Sequence, residues 1–212
     1  MLAFAPLFRP ALEIERAMSA FVSVGRLPAD LAMDRYAAGD DAAFAEVYDA
    51  VAPRLYAYLR KQTRDAALAE DVLQQTLLKM HLARGTFLSG AAVMPWAYAI
   101  ARRLFVDSLR RGRREVLAPT DEPRETEASA DEPAADELVA AGQLARRLET
   151  ELARLPEAQR TAFALVKQEG LSMAEAAGVL GTTVSAVKLR AFRAYQTLRV
   201  ALGDVLPKDL EP

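Results

Sequence analysis

The sequence contains no cysteine and a single histidine, His81. Disulfide bonds and thiolate metal sites are therefore excluded, and one histidine cannot by itself form a histidine-based metal site. Long apolar runs are scarce too: the longest, residues 91–101, contains a proline and falls short of the roughly 20 residues that a membrane-spanning helix needs. Because the stretch MLAFAPLFRP also breaks any signal-peptide core, we expect a cytoplasmic protein.

Signatures of catalysis are missing as well. There is no glycine-rich phosphate loop and no set of histidine, carboxylate and nucleophile. We therefore expect no enzymatic activity, no cofactor, no metal and no small-molecule substrate. Hydrophobic residues make up 52% of the 212 residues, which is enough to bury one large core or two small ones.

Charge is distributed unevenly along the chain. The net charge is −2, but residues 115–137 hold nine acidic residues and one basic residue, so the rest of the chain carries +6. This acidic segment contains three prolines and few large apolar residues, a composition that buries too little surface to offset chain entropy. It predicts a flexible linker between two domains, and a solvated loop without a task is the alternative.

The apolar pattern predicts an all-α fold. Apolar residues recur at spacings of three and four, and no alternating run of β-branched residues occurs. Ser172 followed by Glu175 forms a capping box, which marks a helix start. We expect an N-terminal extension at 1–28, small helical domains at 29–114 and 138–212, and the acidic linker at 115–137. The predicted helices are 29–38, 40–61, 65–83 and 95–111 in the first domain, and 138–154, 157–169, 172–180 and 184–201 in the second.

One predicted helix is strongly basic. The segment VMPWAYAIARRLFVDSLRRGRR, residues 93–114, contains a tryptophan and six arginines. On a helical wheel a broad apolar arc that includes Leu109 opposes Arg102, Arg103 and Arg110, and Trp96 lies at the edge of the basic face. Single-stranded bases bind by aromatic stacking and phosphate neutralisation, so this face suits a melted DNA strand. A solvated surface, an anionic lipid surface and, for Trp96, a place in the core are the alternatives.

A second signal for nucleic-acid binding lies in LSMAEAAGVLGTTVSAVKLRAFRAYQTLR. Ala177 lets two helices approach, Gly181 makes the turn and Val187 packs back, which is helix-turn-helix spacing. The outward face of the second helix mixes polar, cationic and apolar residues, and a major-groove reader needs all three. The predicted packing stripe of that helix is Val184, Val187, Ala191, Ala194 and Leu198.

Two long stretches resemble the extracytoplasmic-function (ECF) sigma factors of bacterial RNA polymerase. DAAFAEVYDAVAPRLYAYLRKQTRDAALAEDVLQQTLLKMH with PWAYAIARRLFVDSLRRGRR resembles their domain 2, and LARLPEAQRTAFALVKQEGLSMAEAAGVLGTTVSAVKLRAFRAYQTLR resembles their domain 4. The resemblance covers about 160 of the 212 residues, in the family's order. It implies a transcription-initiation subunit that binds core RNA polymerase and reads the minus-ten and minus-thirty-five promoter elements.

The resemblance also implies roles for individual residues. The polymerase-binding surface would comprise Glu70, Asp71, Gln74, Gln75 and Leu78. The opened minus-ten strand would meet Trp96, Arg102, Arg103, Arg110 and Arg111, beside a specificity loop at 83–94 that holds a flipped base. The minus-thirty-five major groove would meet Ser185, Lys188, Leu189, Arg190, Phe192 and Arg193. The helical wheel independently places Asp71 and Gln74 away from an expected packing stripe of Leu73, Leu77 and Met80.

Two positions depart from the family. Arg103 stands where asparagine is frequent, so we expect a phosphate contact there rather than a base contact, and Leu189 stands where serine is common. The resemblance further implies an anti-sigma partner. The stretches LLKMHLARGTF and YAIARRLFVDSLRR resemble groups whose anti-sigma factor is an integral membrane protein.

Two other classes of function stay open at this point. A helix-turn-helix regulator that binds duplex DNA without polymerase would explain the second domain but leave Asp71 and Gln74 without a role. A cationic membrane-surface protein would explain only the basic helix.

Overall fold

A computed structural model describes residues 27–116 and 146–202. These residues are helical apart from short connections, which confirms the all-α prediction. Residues 1–26 of the predicted N-terminal extension and most of the acidic linker lie outside the described residues. The described residues divide into two compact units. None of the helices in the described ranges is long and apolar enough to cross a membrane.

The first unit contains four α-helices, α1 (Pro28–Ala37), α2 (Phe44–Thr63), α3 (Ala66–Ala83) and α4 (Val93–Val116), with 3-10 helices at Asp41–Ala43 and Arg84–Thr86. The Asp65 carboxylate begins α3 by accepting a hydrogen bond from Leu68 N at 3.1 Å. The last helix extends to Val116, so it enters the predicted linker by two residues.

Helix α3 packs through one stripe of small and medium-sized residues, Ala69, Val72, Thr76 and Met80. Their spacing of three and four residues follows the helical period, and the buried Thr76 hydroxyl donates to Val72 O at 2.6 Å. The predicted stripe was therefore wrong in part: Met80 is buried, whereas Leu73 and Leu77 are only half-buried at its margin. The opposite side of α3 is left exposed to solvent.

An exposed ion pair links α1 to α2. Arg35 Nη2 donates to Glu46 Oε1 at 2.6 Å. This hydrogen bond, together with the charge of Glu46, raises the pKa of Arg35 above its ordinary value. Exposed pairs of this kind add little stability, so the unit depends on its buried apolar faces.

The second described range, 146–202, contains α5, described over 146–154, then α6 (Glu157–Phe163), α7 (Met173–Leu180) and α8 (Val184–Leu202). The predicted start of α5 lies outside the described residues. The helix predicted at 157–169 changes from α-helix to π-helix at Ala164–Gln168. The core of this unit consists of Leu152, Leu155, Phe163, Ala194, Tyr195 and Leu198.

Candidate protein and nucleic-acid interfaces

The exposed side of α3 carries the predicted polymerase-binding residues. Glu70, Asp71 and Gln74 are exposed, Gln75 is half-buried, and Leu78 keeps 57% of its surface in solvent. Gln75 Nε2 donates to Asp71 Oδ2 at 2.7 Å, which orients the carboxylate one helical turn away. The structure therefore brings these residues together on the side of α3 opposite its packing stripe.

Leu82 extends this surface, although it was not among the residues predicted to form it. It is 72% exposed and follows Leu78 by one helical turn. The resulting surface, which we call the α3 face, runs from an acidic and amide end at Asp71 and Gln74 to two exposed leucines. An exposed leucine pair beside charged residues is typical of a protein-binding surface, and this pairing in LLKMHLA was the signal available in the sequence.

The connection from α3 to α4 is anchored at both ends of a short exposed tip. Phe87 and Ala91 are buried, while Leu88 and Ser89 between them are exposed. Gly90 has a φ of +87°, a left-handed conformation that favours glycine. Ala91 N donates to Leu88 O at 3.0 Å and closes the turn. The loop at 83–94 thus presents residues 88–90 on a defined backbone.

Two carboxylates of α1 hold this loop. The Asp34 carboxylate accepts from Ser89 Oγ and from Gly90 N, both at 3.2 Å. Asp30 is 3% exposed and accepts from Val93 N, the first residue of α4, at 2.9 Å. Sequence reasoning missed both residues. Like charges four residues apart on one helix are unfavourable without compensating partners, so the pattern DLAMD was a usable signal.

Trp96 is buried rather than placed at the edge of the basic face. Its side chain is 2% exposed, and its ring centroid lies 5.1 Å from that of Phe87. All residues from 91 to 98 are buried, so the start of α4 has no solvent face and the helical wheel misplaced the tryptophan. In this conformation Trp96 packs beneath the loop and cannot stack on a base, which favours the core alternative.

The second half of α4 carries the predicted cationic surface. Arg103, Arg110 and Arg111 are exposed, while Arg102 is half-buried. Arg103 and Arg110 are seven residues apart and therefore share one side of the helix. Asp107 lies 3.8 Å from Arg110, an exposed pair that leaves the guanidinium accessible. Burial along α4 ends at Phe105, and this is why Leu109, predicted to pack, is 41% exposed.

Helices α7 and α8 form the predicted helix-turn-helix. Ala177 and Val187 are buried, and Gly181 has a φ of +59°. Thr182 N donates to Ala177 O at 3.0 Å, the reverse-turn bond of a helix that ends at a left-handed glycine. The capping box at the start of α7 is confirmed, because Glu175 N donates to Ser172 Oγ and Ser172 N donates to Glu175 Oε2.

The outward side of α8 contains the predicted major-groove residues. Ser185, Lys188, Leu189, Phe192 and Arg193 are exposed, and Arg190 is half-buried. Leu189 and Phe192 keep 49% and 45% of their surface in solvent. Four of these residues line one continuous surface that also includes Gln196 and Arg199, which were not among the predicted DNA-contacting residues.

The packing stripe of α8 matches its prediction at four of five positions. Val187, Ala191, Ala194 and Leu198 are buried. Val184 was placed there wrongly and is 48% exposed, because it is the first residue of the helix, directly after the cap. Thr183 provides that cap by accepting from Ala186 N at 3.2 Å. The stripe leaves the polar, cationic and apolar side free, the combination that a major groove accepts.

Two family models match the chain in order. The model described as Sigma-70 region 2 matches residues 47–115, and the model described as Sigma-70, region 4 matches residues 145–198. The first match contains the α3 face and α4, and the second contains the helix-turn-helix. Together they cover more than half of the chain.

Curated relatives match over nearly their full length. The RNA polymerase sigma factor CarQ of Myxococcus xanthus is 35% identical over 173 residues, which is 82% of this chain and 97% of CarQ. The ECF RNA polymerase sigma factor SigF of Caulobacter vibrioides is 35% identical over 161 residues, or 76% of this chain and 86% of SigF.

Solved structures agree with the sequence matches. The sigma factor RpoE from Bartonella quintana, in complex with the anti-sigma factor NepR, matches with a TM-score of 0.63 and 25% identity over 77% of this chain and 98% of that one. CnrH, in complex with the cytosolic domain of CnrY, matches in fold with a TM-score of 0.59 and 23% identity over 84% of this chain and 98% of that one.

The two family matches and the relatives identify a two-domain transcription initiation factor, a class whose members are generally not enzymes. The chain belongs to the ECF sigma factors of the sigma-70 family.

Proposed function

We propose that the α3 face, comprising Glu70, Asp71, Gln74, Gln75, Leu78 and Leu82, docks the chain onto core RNA polymerase. The apolar part of a protein interface supplies most of its affinity, and the surrounding charges select the partner. Exposed Leu78 and Leu82 supply the apolar part, and the oriented Asp71 carboxylate supplies the charge. The partner surface is therefore basic around an apolar centre.

Promoter DNA would contact three other surfaces. The loop tip at 88–90 would receive a base of the opened minus-ten strand, and Arg103, Arg110 and Arg111 would neutralise phosphates of that strand. Arg102, which is half-buried on the same helix, would also contribute to neutralising these phosphates. The outward side of α8 would enter the minus-thirty-five major groove, with Lys188, Arg190 and Arg193 as its cations. Because initiation takes place where core polymerase works, we assign the protein to the cytoplasm.

An anti-sigma factor is the third proposed partner. The solved relatives RpoE and CnrH are described in complex with anti-sigma factors, and CnrY contributes a cytosolic domain to its complex. For this chain we propose an integral-membrane anti-sigma factor, following the resemblance of LLKMHLARGTF. Affinity capture from the membrane fraction and from the soluble fraction of its host would test this assignment. Recovery of an inhibitor only from the soluble fraction would contradict it.

The observation that carries the proposal is the presence of two chemically different exposed surfaces in the sigma region 2 unit. The α3 face is acidic and apolar, which suits protein but not phosphate, and the exposed side of α4 is cationic, which suits phosphate. A helix-turn-helix regulator without polymerase would leave the α3 face unexplained, and the family matches do not support that alternative.

Gel filtration of the full-length chain with core polymerase tests the proposal. We expect the two to coelute, and the Leu78→Ala, Leu82→Ala pair to abolish coelution while the melting temperature stays unchanged. Asp49→Ala, which removes an exposed carboxylate from α2, is the matched control and should coelute normally. Failure of the parent chain to coelute, with intact binding to duplex DNA, would instead favour the regulator.

A further inference from the structure

We propose that Asp34 is a positioning residue for promoter recognition, because its carboxylate holds the tip of the specificity loop through two hydrogen bonds. This inference rests on the proposed function, in which the tip at 88–90 receives a base of the minus-ten strand. It adds that α1, a helix with no proposed contact to DNA, determines how well the loop discriminates between bases.

The geometry of the tip supports this role. Ser89 Oγ and Gly90 N both donate to the Asp34 carboxylate at 3.2 Å, one to each oxygen. Asp34 therefore holds a side chain and a backbone amide of the tip at once. The buried residues Phe87 and Ala91 fix the two ends of the same stretch. Between these anchors, the Asp34 hydrogen bonds act together with the bond from Ala91 N to Leu88 O to hold the exposed residues.

Electrostatics argues that Asp34 acts through the loop and not on DNA. A carboxylate repels a phosphate backbone and would weaken binding if it faced the strand directly. Both oxygens of Asp34 are instead engaged by donors of the loop. Because the tip is already held in place, binding a base costs less loop conformational entropy. A fixed pocket also discriminates between bases better than a mobile one.

Asp30 extends the same support to the end of the loop. Its carboxylate is buried, and it accepts from Val93 N at 2.9 Å and from Leu27 N at 2.9 Å. These donors lie at the start of α4 and at the start of α1, where helix dipoles favour a negative charge. Asp30 thus links the C-terminal end of the loop, at Val93, to α1, the helix that also carries Asp34. Its burial makes it a poor test residue, because its loss would destabilise the unit.

The test uses holoenzyme formed from core polymerase and the full-length chain. The probes are single-stranded non-template minus-ten oligonucleotides of a promoter that the parent holoenzyme transcribes, with each position changed in turn to the other three bases. We expect Asp34→Ala to lower discrimination at the captured base by about tenfold, the effect of losing hydrogen bonds to a charged group. Binding of core polymerase and of minus-thirty-five duplex should stay unchanged.

Three further variants make the result specific. Asp34→Asn should restore discrimination, because its amide oxygen can accept from Gly90 N and its NH2 group can donate to Ser89 Oγ. Ser89→Ala removes one exposed bond and should cause a smaller loss of the same kind. Asp40→Ala is the matched control: its carboxylate also accepts from a backbone amide, that of Ala42, at 3.2 Å, but not from the loop.

Unchanged discrimination in Asp34→Ala would overturn the inference. Equal losses of discrimination in Asp34→Ala and Asp34→Asn would also overturn it, because they would indicate that the charge of Asp34, and not its hydrogen bonds, matters. If the parent holoenzyme initiates but shows no base preference at any minus-ten position, the specificity loop itself is refuted and the inference falls with it. A parent chain that does not bind polymerase refutes the proposed function, which is a separate result.

Discussion

Replacing Trp96 by alanine should strongly destabilise the first unit, because Trp96 belongs to its core. The indole is 2% exposed and packs on Phe87 at a centroid distance of 5.1 Å. Truncating a buried aromatic residue of this size costs about 3–5 kcal/mol, since the lost transfer free energy is added to the cost of the cavity. A domain of this size has a total stability of about 5–15 kcal/mol, so the loss removes a large fraction of it.

Urea denaturation followed by circular dichroism measures this loss. We expect a lower midpoint for Trp96→Ala and a melting temperature lower by more than about 10 °C. Trp96→Phe keeps an aromatic ring in the core and should lose less. Trp96 is also the only tryptophan in the chain, so intrinsic fluorescence reports on it alone. In the isolated chain its emission should be blue-shifted, as for a buried indole. An unchanged melting curve together with loss of promoter opening would refute the core assignment and restore the stacking hypothesis.

Three more predictions concern exposed residues. The Asp71→Ala, Gln74→Ala pair should lose core-polymerase association in a pull-down, with stability changed by no more than about 0.5 kcal/mol; retained association would remove the charged end of the α3 face from the interface. The Arg103→Ala, Arg110→Ala pair should bind polymerase but hold the opened strand more weakly, with a salt slope shallower by roughly 1.4 in fluorescence anisotropy; an unchanged slope would mark a solvated basic surface. Arg193→Ala should weaken minus-thirty-five binding by about 1–3 kcal/mol at one base pair of the element in mobility-shift assays, whereas a uniform loss across sequences would indicate a phosphate contact.

Local features of this fold were predictable from the sequence because their causes are local. The capping box at Ser172 and the turn at Gly181 depend on residues within one or two helical turns, and both are present. The exposed side of α8 follows from its 3.6-residue period in the same way. Exposure of Asp71 and Gln74 was predicted correctly for the same reason, even though the stripe opposite them was partly misassigned.

Features that depend on contacts distant in sequence were not predictable. A helical wheel gives Trp96 a direction but cannot reveal that Phe87 and the other helices surround the start of α4 on every side. The pattern DLAMD indicated that Asp30 needs a partner, and Leu27 N is a local one, but the pattern could not identify Val93 N, which is 63 residues away. In each case tertiary packing, and not local preference, determines the result.

Run-off transcription with purified core polymerase on fragments of the host genome tests the central claim most directly. If the chain is an initiation factor that both docks on polymerase and opens promoters, adding it should produce discrete transcripts that core enzyme alone does not make, and the Leu78→Ala, Leu82→Ala pair should abolish them. Transcripts that are the same with and without the parent chain, under conditions where it still binds duplex DNA through α8, would contradict the account.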